Sequence, residues 1–546
     1  MKKLSKKIAT CFIAIFMAFT LSSCSGVFAL LDIISTLLDP GISLEYTLTQ
    51  KDLEEFSETV AECEEAGMSE ATMIQFAAYM LQMSEQMKHI QTQYRLAYLA
   101  YCQDQSDPVA IANYIESEKI MTNARTCSMA MLKKLAIESP IKDELFADWP
   151  ESEMAMIYAD YTKIAELQLA NSELTRQFYT LDEKSETWSK DVSEMYEQLV
   201  ANNQAMAKEY GGEEYYTFIS ENGYYRKHTV EERNTFRGYV KEYIYPLTKK
   251  IKAELDVVEA SLTDGQKIAF NALNNDRAYL NGYIDSYRGS LNRKMKAMFE
   301  GNSAIFANNE NALKGAFVQF LPEYNQPIAY FGPGNYQNNR AVVHENGHFA
   351  SMFYFDDSTL PFELAETHSQ GNEWMYTAYL ENLETVEESV AEAYTLTCAF
   401  NSMTSILYAT MVDEFEEIVY TAEAPIKAEE YAGVINEIID QYEGCKEFFE
   451  SAKKRQPFEY IQYVTMDSPG YYLSYATSQI ASMSLYAIAQ EQGYQAAQNV
   501  YVKLQEGIDP TLDFLPSIEA AGLRSPLDES TYQSLENVLL GKKQNA

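Results

Sequence analysis

The chain has 546 residues, with 42 Lys+Arg against 80 Asp+Glu and a formal net charge of −38. A surface of that sign repels polyphosphate and anionic headgroups, which excludes DNA- and RNA-binding roles. The length exceeds one ordinary core, so at least two lobes are expected, and seven irregularly spaced cysteines exclude both a disulfide framework and a cysteine zinc site.

Met1-Lys2-Lys3-Leu4-Ser5-Lys6-Lys7 precedes an apolar run to Leu21 and then Ser22-Ser23-Cys24. A basic start, a short apolar core and small residues before a cut describe a secretory signal peptide over 1–23, not a spanning helix. The cysteine directly after Leu-Ser-Ser resembles a bacterial lipoprotein signal, whose cleavage leaves Cys24 as the lipidated N-terminus. The alternative is an ordinary signal peptide with an incidental cysteine. On the lipoprotein reading the protein is exported and membrane-anchored, on the cell surface or periplasmic face, through lipid on Cys24. Residues 24–45 form the anchored segment, although 27–38 is more apolar than a polar tether. Loss of Lys2, Lys3, Lys6 and Lys7 leaves 38 basic against 80 acidic residues. Cys63, Cys102, Cys127, Cys398 and Cys445 are expected as small buried hydrophobes, with one bridge left open.

Nearly everything from Lys51 to about Leu262 reads as helix. The first segment runs to Ala66, with Gly67 as its C-terminal cap. Residues 69–103 carry Met73, Phe76, Ala77, Met80, Met83 and Met87 at three- and four-residue spacing. Asp107-Pro108 supplies an N-cap and a first-turn proline for the next helix. Segments 150–181 and 187–210 continue the pattern. These Met and Tyr stripes are core packing, and His89 among them is given no role. Residues 203–211 (NQAMAKEYG from Asn203), then Tyr215-Tyr216 and Tyr225-Arg226-Lys227-His228-Thr229, lead into a helix that Thr229 and Glu232 start as a capping box and that runs past Tyr243 and Pro246. His228 reads as structural, and Lys249, Lys250 and Lys252 as a solvated face.

The helical pattern breaks at 313–331. Ala316 to Phe320 and Pro327 to Phe331 are short, aromatic and β-branched, and end in the turn signal Gly332-Pro333-Gly334, so they read as a small sheet. An edge strand there could hold an extended peptide by main-chain pairing; the plainer reading is that the strands brace the next helix.

That helix carries His344-Glu345-Asn346-Gly347-His348, an H-E-x-x-H. Positions i and i+4 share a helix face, so two imidazoles can hold one Zn2+ while the adjacent Glu345 serves as general base to water. Gly347 costs helix propensity and is expected to leave room near a metal or substrate. A catalytic zinc site takes a third protein ligand. Ser358-Thr359-Leu360-Pro361 reads as a cap with an early-helix proline, followed by Glu363, Glu366, Gln370 and Glu373 at helical spacing. Glu366 is assigned as the third ligand and Glu373, on the same face, as the carboxylate that orients a ligand imidazole. Thr385 with Glu388 is expected to cap a long helix to about Tyr420. Segments 426–441 and 444–452 are amphipathic, and 468–490 is a tyrosine-rich apolar helix.

H-E-x-G-H followed by E-x-x-S-x-x-x-E (Glu366, Ser369, Glu373) resembles the thimet oligopeptidase and oligoendopeptidase F family of zinc metallopeptidases. Residues 203–229 and Tyr471-Tyr472 with Tyr475-Ala476-Thr477 are similar to two further stretches of the same family. The resemblance implies a mainly α, two-lobed molecule with a deep substrate channel and a small β-sheet beside the zinc helix. The lobes are expected at 46–310 (helical) and 311–546 (catalytic). It also implies that Tyr475, with Tyr472 as second, donates hydrogen bonds to the tetrahedral oxyanion. Where the family places a His and a further Tyr, this chain has Tyr463 and Ser468. The implied activity is zinc-dependent hydrolysis of short peptides. Alternatives are a lipoprotein that captures peptides without cutting them, and an exopeptidase of the same fold.

Overall fold

A computed structural model describes residues 42–541 apart from 148, 150, 183, 213, 354–359, 443–464, 467 and 510–511. The signal segment, Cys24, Ser358, Thr359, Cys445, Tyr463 and the amphipathic run at 444–452 lie outside the described residues. Most of the described chain is helix. The N-terminal part contains α1 (Gln50–Gly67), α2 (Met73–Gln103) and α3 (Pro108–Glu138). Asp107 caps α3 by accepting from the Val109 amide, and Pro108 occupies the first turn, where a missing N–H costs nothing. Gly67 lies inside α1 and is not its cap. It packs so closely that a Cβ would sit 2.7 Å from Leu135 Cδ2, so its role is helix approach.

Next come α4 (Tyr161–Thr180), α5 (Trp188–Glu209), α6 (Val230–Tyr239) and α7 (Tyr245–Ser261). The Thr229–Glu232 capping box starts α6. The expected continuous helix past Pro246 is joined by a π-helical turn at Val240–Ile244, just before the proline, whose ring nitrogen offers no N–H to the helical ladder.

The sheet has three strands, not two: β1 (Ala304–Phe306), β2 (Ala316–Leu321) and β3 (Gln326–Phe331). Their order is β1-β3-β2, with β3 central, parallel to β1 and antiparallel to β2. At three residues, β1 is too short for an alternation signal to be read from sequence.

Beyond the sheet stand α8 (Asn339–Ser351), α9 (Phe362–Glu381), α10 (Glu388–Thr421), α11 (Tyr431–Gln441), α12 (Tyr472–Gln492) and α13 (Tyr494–Glu506), followed by two shorter helices. Glu387 and not Thr385 occupies the N-cap of α10, without a side-chain cap bond, so that expected box does not form. Pro361 is the N-cap residue of α9, one position earlier than a first-turn proline.

α9 packs between α8 and α12 and also against α13. It is buried on every side, yet carries Glu363, Glu366, His368, Gln370 and Asn372. Burying that many polar groups is costly unless each is engaged, so this helix marks where the chain concentrates its chemistry. One buried core runs from Leu174 to Leu539 and a second from Leu48 to Ile164. The division between these two cores falls within α4, near residue 165–174, so the later part of α4 and α5 to α7 share the core of the site-bearing helices. No described helix is long and apolar enough to cross a membrane. Cys63, Cys102, Cys127 and Cys398 are free thiols.

Candidate active site

α8 begins at Asn338, whose side chain accepts from the Arg340 amide. One turn in, His344 and His348 project from one face, with ring centroids 5.1 Å apart. Glu366, on the second turn of α9, meets both: its Oε2 is 3.7 Å from His344 Nε2 and 3.6 Å from His348 Nε2. One ligand atom from each of the three residues lies within 4.8 Å of the other two. Tetrahedral zinc with N and O ligands needs donor separations of roughly 3.3 Å, so the two His–Glu366 separations fit the metal with a few tenths of an ångström of closure. Two imidazoles and a carboxylate also leave a fourth position for water, as catalytic zinc sites do.

Each donor is held by a neighbour. Glu373 Oε1 lies 2.7 Å from His344 Nδ1, and Arg340 Nε donates to Glu373 Oε2. Burial works against charge on Glu373, but Arg340 and the bond to His344 outweigh it and hold the carboxyl at about 2. An ionised Glu373 can only accept, so His344 carries its proton on Nδ1 and turns Nε2 toward Glu366. Arg340, four residues before His344 on α8, was not singled out from the sequence; the i, i+4 spacing was its only signal.

Glu366 is enclosed as well. Ser369 Oγ donates to its Oε2 at 3.1 Å, and the Tyr471 hydroxyl donates to its Oε1. Burial opposes its charge, and His348 and His344 reverse that to hold Glu366 at about 2. Tyr471 at the start of α12 thus joins the site, where the sequence had pointed to its neighbours. The Tyr475 ring sits 5.0 Å from that of Tyr471, and burial, with the charges of Glu366 and Glu345, keeps its phenol protonated. Tyr472 packs its ring on Tyr408 and Tyr475, at 5.9 and 5.5 Å.

Glu345 is 5% exposed, and its Oε2 has no hydrogen-bond partner among the described residues. Burial pushes its carboxyl up, although His344 and His348 pull the other way. A carboxyl raised toward neutrality and left unbonded beside a metal-ligand set is suited to taking and returning a proton.

Gly347 does not leave room for a metal. A Cβ there would lie 2.6 Å from His368 O and 2.7 Å from Ser369 Cα, so its role is to let α8 and α9 touch backbone to backbone. Asn372 Nδ2 donating to Val343 O at 2.7 Å fastens the same contact, and Tyr501 Oη donating to His368 O at 2.9 Å ties α13 to it. His368, third of the local histidines, points away from the ligand set: its Nε2 donates to Leu504 O at 3.2 Å, and burial lowers its pKa to about 3. His228 joins this layer by tertiary contact alone, with Nε2 2.6 Å from Glu363 Oε1, where Thr477 Oγ1 also donates at 2.6 Å.

The scaffold is thus a mainly helical one that sets an H-E-x-x-H helix against a buried polar helix. The sequence matches no protein-family model and no curated protein. Solved structures do match. PZ peptidase A, in a structure with an inhibitor, is similar over 92% of this chain and 99% of its own, with TM-score 0.68 and 17% identity. A protein from Bacillus anthracis strain Ames, assigned as an oligoendopeptidase F, matches over 92% and 97%, with TM-score 0.66 and 16% identity. The oligoendopeptidase-F of Enterococcus faecium matches over 90% and 99%, with TM-score 0.56 and 14% identity. At these identities the likeness is one of fold: over nine-tenths of its length the chain adopts the oligoendopeptidase F fold.

Proposed function

We propose that the protein is a zinc-dependent oligoendopeptidase that hydrolyses short peptides, exported and tethered to a membrane by lipid on Cys24. The observation that carries the catalytic part is the convergence of His344, His348 and Glu366 within 4.8 Å, with the unbonded Glu345 carboxylate adjacent. The localisation rests on the sequence of residues 1–24 alone.

His344 Nε2, His348 Nε2 and a Glu366 oxygen would hold the metal. Bound there, zinc supplies a Lewis acid that polarises the scissile carbonyl and lowers the pKa of water to about 7. Glu345 takes a proton from the attacking water and delivers it to the departing amine nitrogen, so the same carboxylate is base and then acid. Glu373 and Arg340 keep the His344 tautomer fixed throughout. Tyr475, half-buried and protonated, would donate to the oxygen that gains charge when the carbonyl carbon becomes tetrahedral. Tyr471 steadies Glu366 against rotation. The β2 edge offers main-chain pairing to an extended substrate.

The test is Glu345→Gln in the mature domain, with zinc content measured beside cleavage of a mixed set of short peptides. Retained zinc and loss of nearly all turnover are expected, as are chelator-sensitive internal cuts by the wild type. Near-normal cleavage by the variant would rule out the mechanism. Intact peptides despite bound zinc would favour a peptide-capturing protein, and release of only terminal residues an exopeptidase.

A further inference from the structure

A cavity of about 640 Å3 lies between the two cores. Its walls come from α2 and α3 on one side and from α4 and α5 on the other, closed by Gln319 of β2 and by Pro469. Pro469 stands two residues before Tyr471, whose hydroxyl donates to Glu366. One wall of the cavity and one flank of the candidate metal site are therefore the same short segment. Tyr94, Tyr98 and Tyr114 line the opposite side, with Tyr94 and Tyr98 each in ring contact with Tyr114.

Two arginines face this space, and they differ. Arg176 is satisfied, with Nη1 2.9 Å from Glu118 Oε2 and Nη2 3.2 Å from Glu173 Oε2. Arg125 on α3 has no hydrogen-bond or ion-pair partner among the described residues, and its Nε is fully enclosed with no acceptor. Burial pulls its pKa below the usual arginine value, against the pull of Tyr94 and Tyr210. Gln319 Oε1, on the wall that β2 contributes, is likewise enclosed without a donor. A guanidinium Nε kept from both water and carboxylates is costly, and in a chain with 80 acidic residues a partner was available in composition. The cost is recovered if an incoming ligand brings the anion. A guanidinium fork matches a carboxylate in two parallel bonds, and a free amide oxygen matches a peptide N–H.

We propose that Arg125 anchors a carboxylate of the bound peptide, and that this is the C-terminal α-carboxylate, with Gln319 accepting from the peptide backbone. A chain end can enter a half-open tyrosine-walled space lengthwise, while the rest of the peptide runs past Pro469 toward Glu366. The site thereby measures its substrate from the C-terminus. This inference rests on the peptidase reading and deepens it.

The experiment uses the zinc-loaded full mature chain and three peptides of one sequence: free acid, C-terminal amide, and an amide whose last residue is Glu. Wild type is expected to cut the acid with a kcat/KM about tenfold or more above the amide, mostly through KM. Arg125→Gln should bring the acid down to the amide level and leave the amide unchanged, and Arg125→Lys should keep part of the preference. Rescue by the Glu-terminated amide would assign the pocket to any terminal carboxylate; no rescue assigns it to the α-carboxylate. Equal cutting of acid and amide by wild type, or equal loss of both in Arg125→Gln, overturns the inference. If no peptide is cut, the same acid and amide are titrated calorimetrically. Tighter binding of the acid that Arg125→Gln abolishes then upholds the anchor while the peptidase reading falls. Equal affinities sink the anchor.

Discussion

Gly347→Ala adds one methyl group at the seam between the two helices that carry the candidate ligands. Its Cβ would meet His368 O at 2.6 Å, Ser369 Cα at 2.7 Å and the His368 carbonyl carbon at 3.0 Å. All three are backbone atoms, so no side-chain rotation relieves the clash. Restoring ordinary contact requires α8 and α9 to part by about 0.8 Å. Overpacking of this kind costs about 1–3 kcal/mol, against a helix-propensity gain of about 1 kcal/mol. The larger effect falls on the metal, because His344 and His348 ride on α8 and Glu366 on α9. A ligand set displaced by more than about 0.5 Å loses its geometry, and zinc affinity should fall about 10- to 100-fold. Competition against a chromophoric chelator measures that fall, and thermal unfolding of the metal-free protein measures the packing cost. Gly433→Ala in α11 is the control: its Cβ meets nothing within 4 Å, so the variant should be unchanged or slightly stabilised. Wild-type zinc affinity and an unchanged melting temperature in Gly347→Ala would refute the close-approach argument.

Other perturbations separate roles that the site places side by side. Glu373→Ala strands Arg340 and frees the His344 tautomer, so zinc affinity should fall about 10- to 100-fold while excess zinc restores much of the turnover; titrating activity against free zinc tests this. Tyr475→Phe should lower kcat about 10²- to 10³-fold with zinc binding intact, whereas Tyr471→Phe should weaken zinc by loosening Glu366; parallel zinc and kcat measurements distinguish them, and identical profiles would contradict the assignment. Glu416 is buried against the Gly470 amide at 2.9 Å, and burial raises its carboxyl to about 8. The folded state then holds a proton that the unfolded state releases above about 4.3, so stability is lost as pH rises toward 8, on the order of 3–5 kcal/mol. Glu416→Gln should remove that loss. Chemical unfolding at pH 5, 7 and 9 should show a gap over wild type that widens to about pH 8 and then levels; a constant gap would contradict it.

Much of the candidate site was legible in the sequence because its parts are local. The i, i+4 histidines, the Glu between them and the seven-residue spacing of Glu366 and Glu373 are properties of single helices, and a helix places its side chains by period alone. The same holds for the Asp107-Pro108 and Thr229–Glu232 helix starts, whose partners lie within three residues. Tertiary contact decided the rest. Tyr471 and not Tyr472 reaches Glu366, because the angle at which α12 crosses α9 selects which face of a tyrosine run meets the ligand. Gly347 serves helix contact and not the metal, since only the packed pair shows His368 and Ser369 opposite it. The core boundary near 165–174 depends on α4 to α7 folding back over the second half of the chain, which no local pattern records. No motif or spacing in the sequence marks Arg125 on α3. Only the meeting of α2 to α5 with β2 and Pro469 sets it on a cavity wall with its Nε enclosed, and burial is a property of the assembled fold, not of any stretch within it.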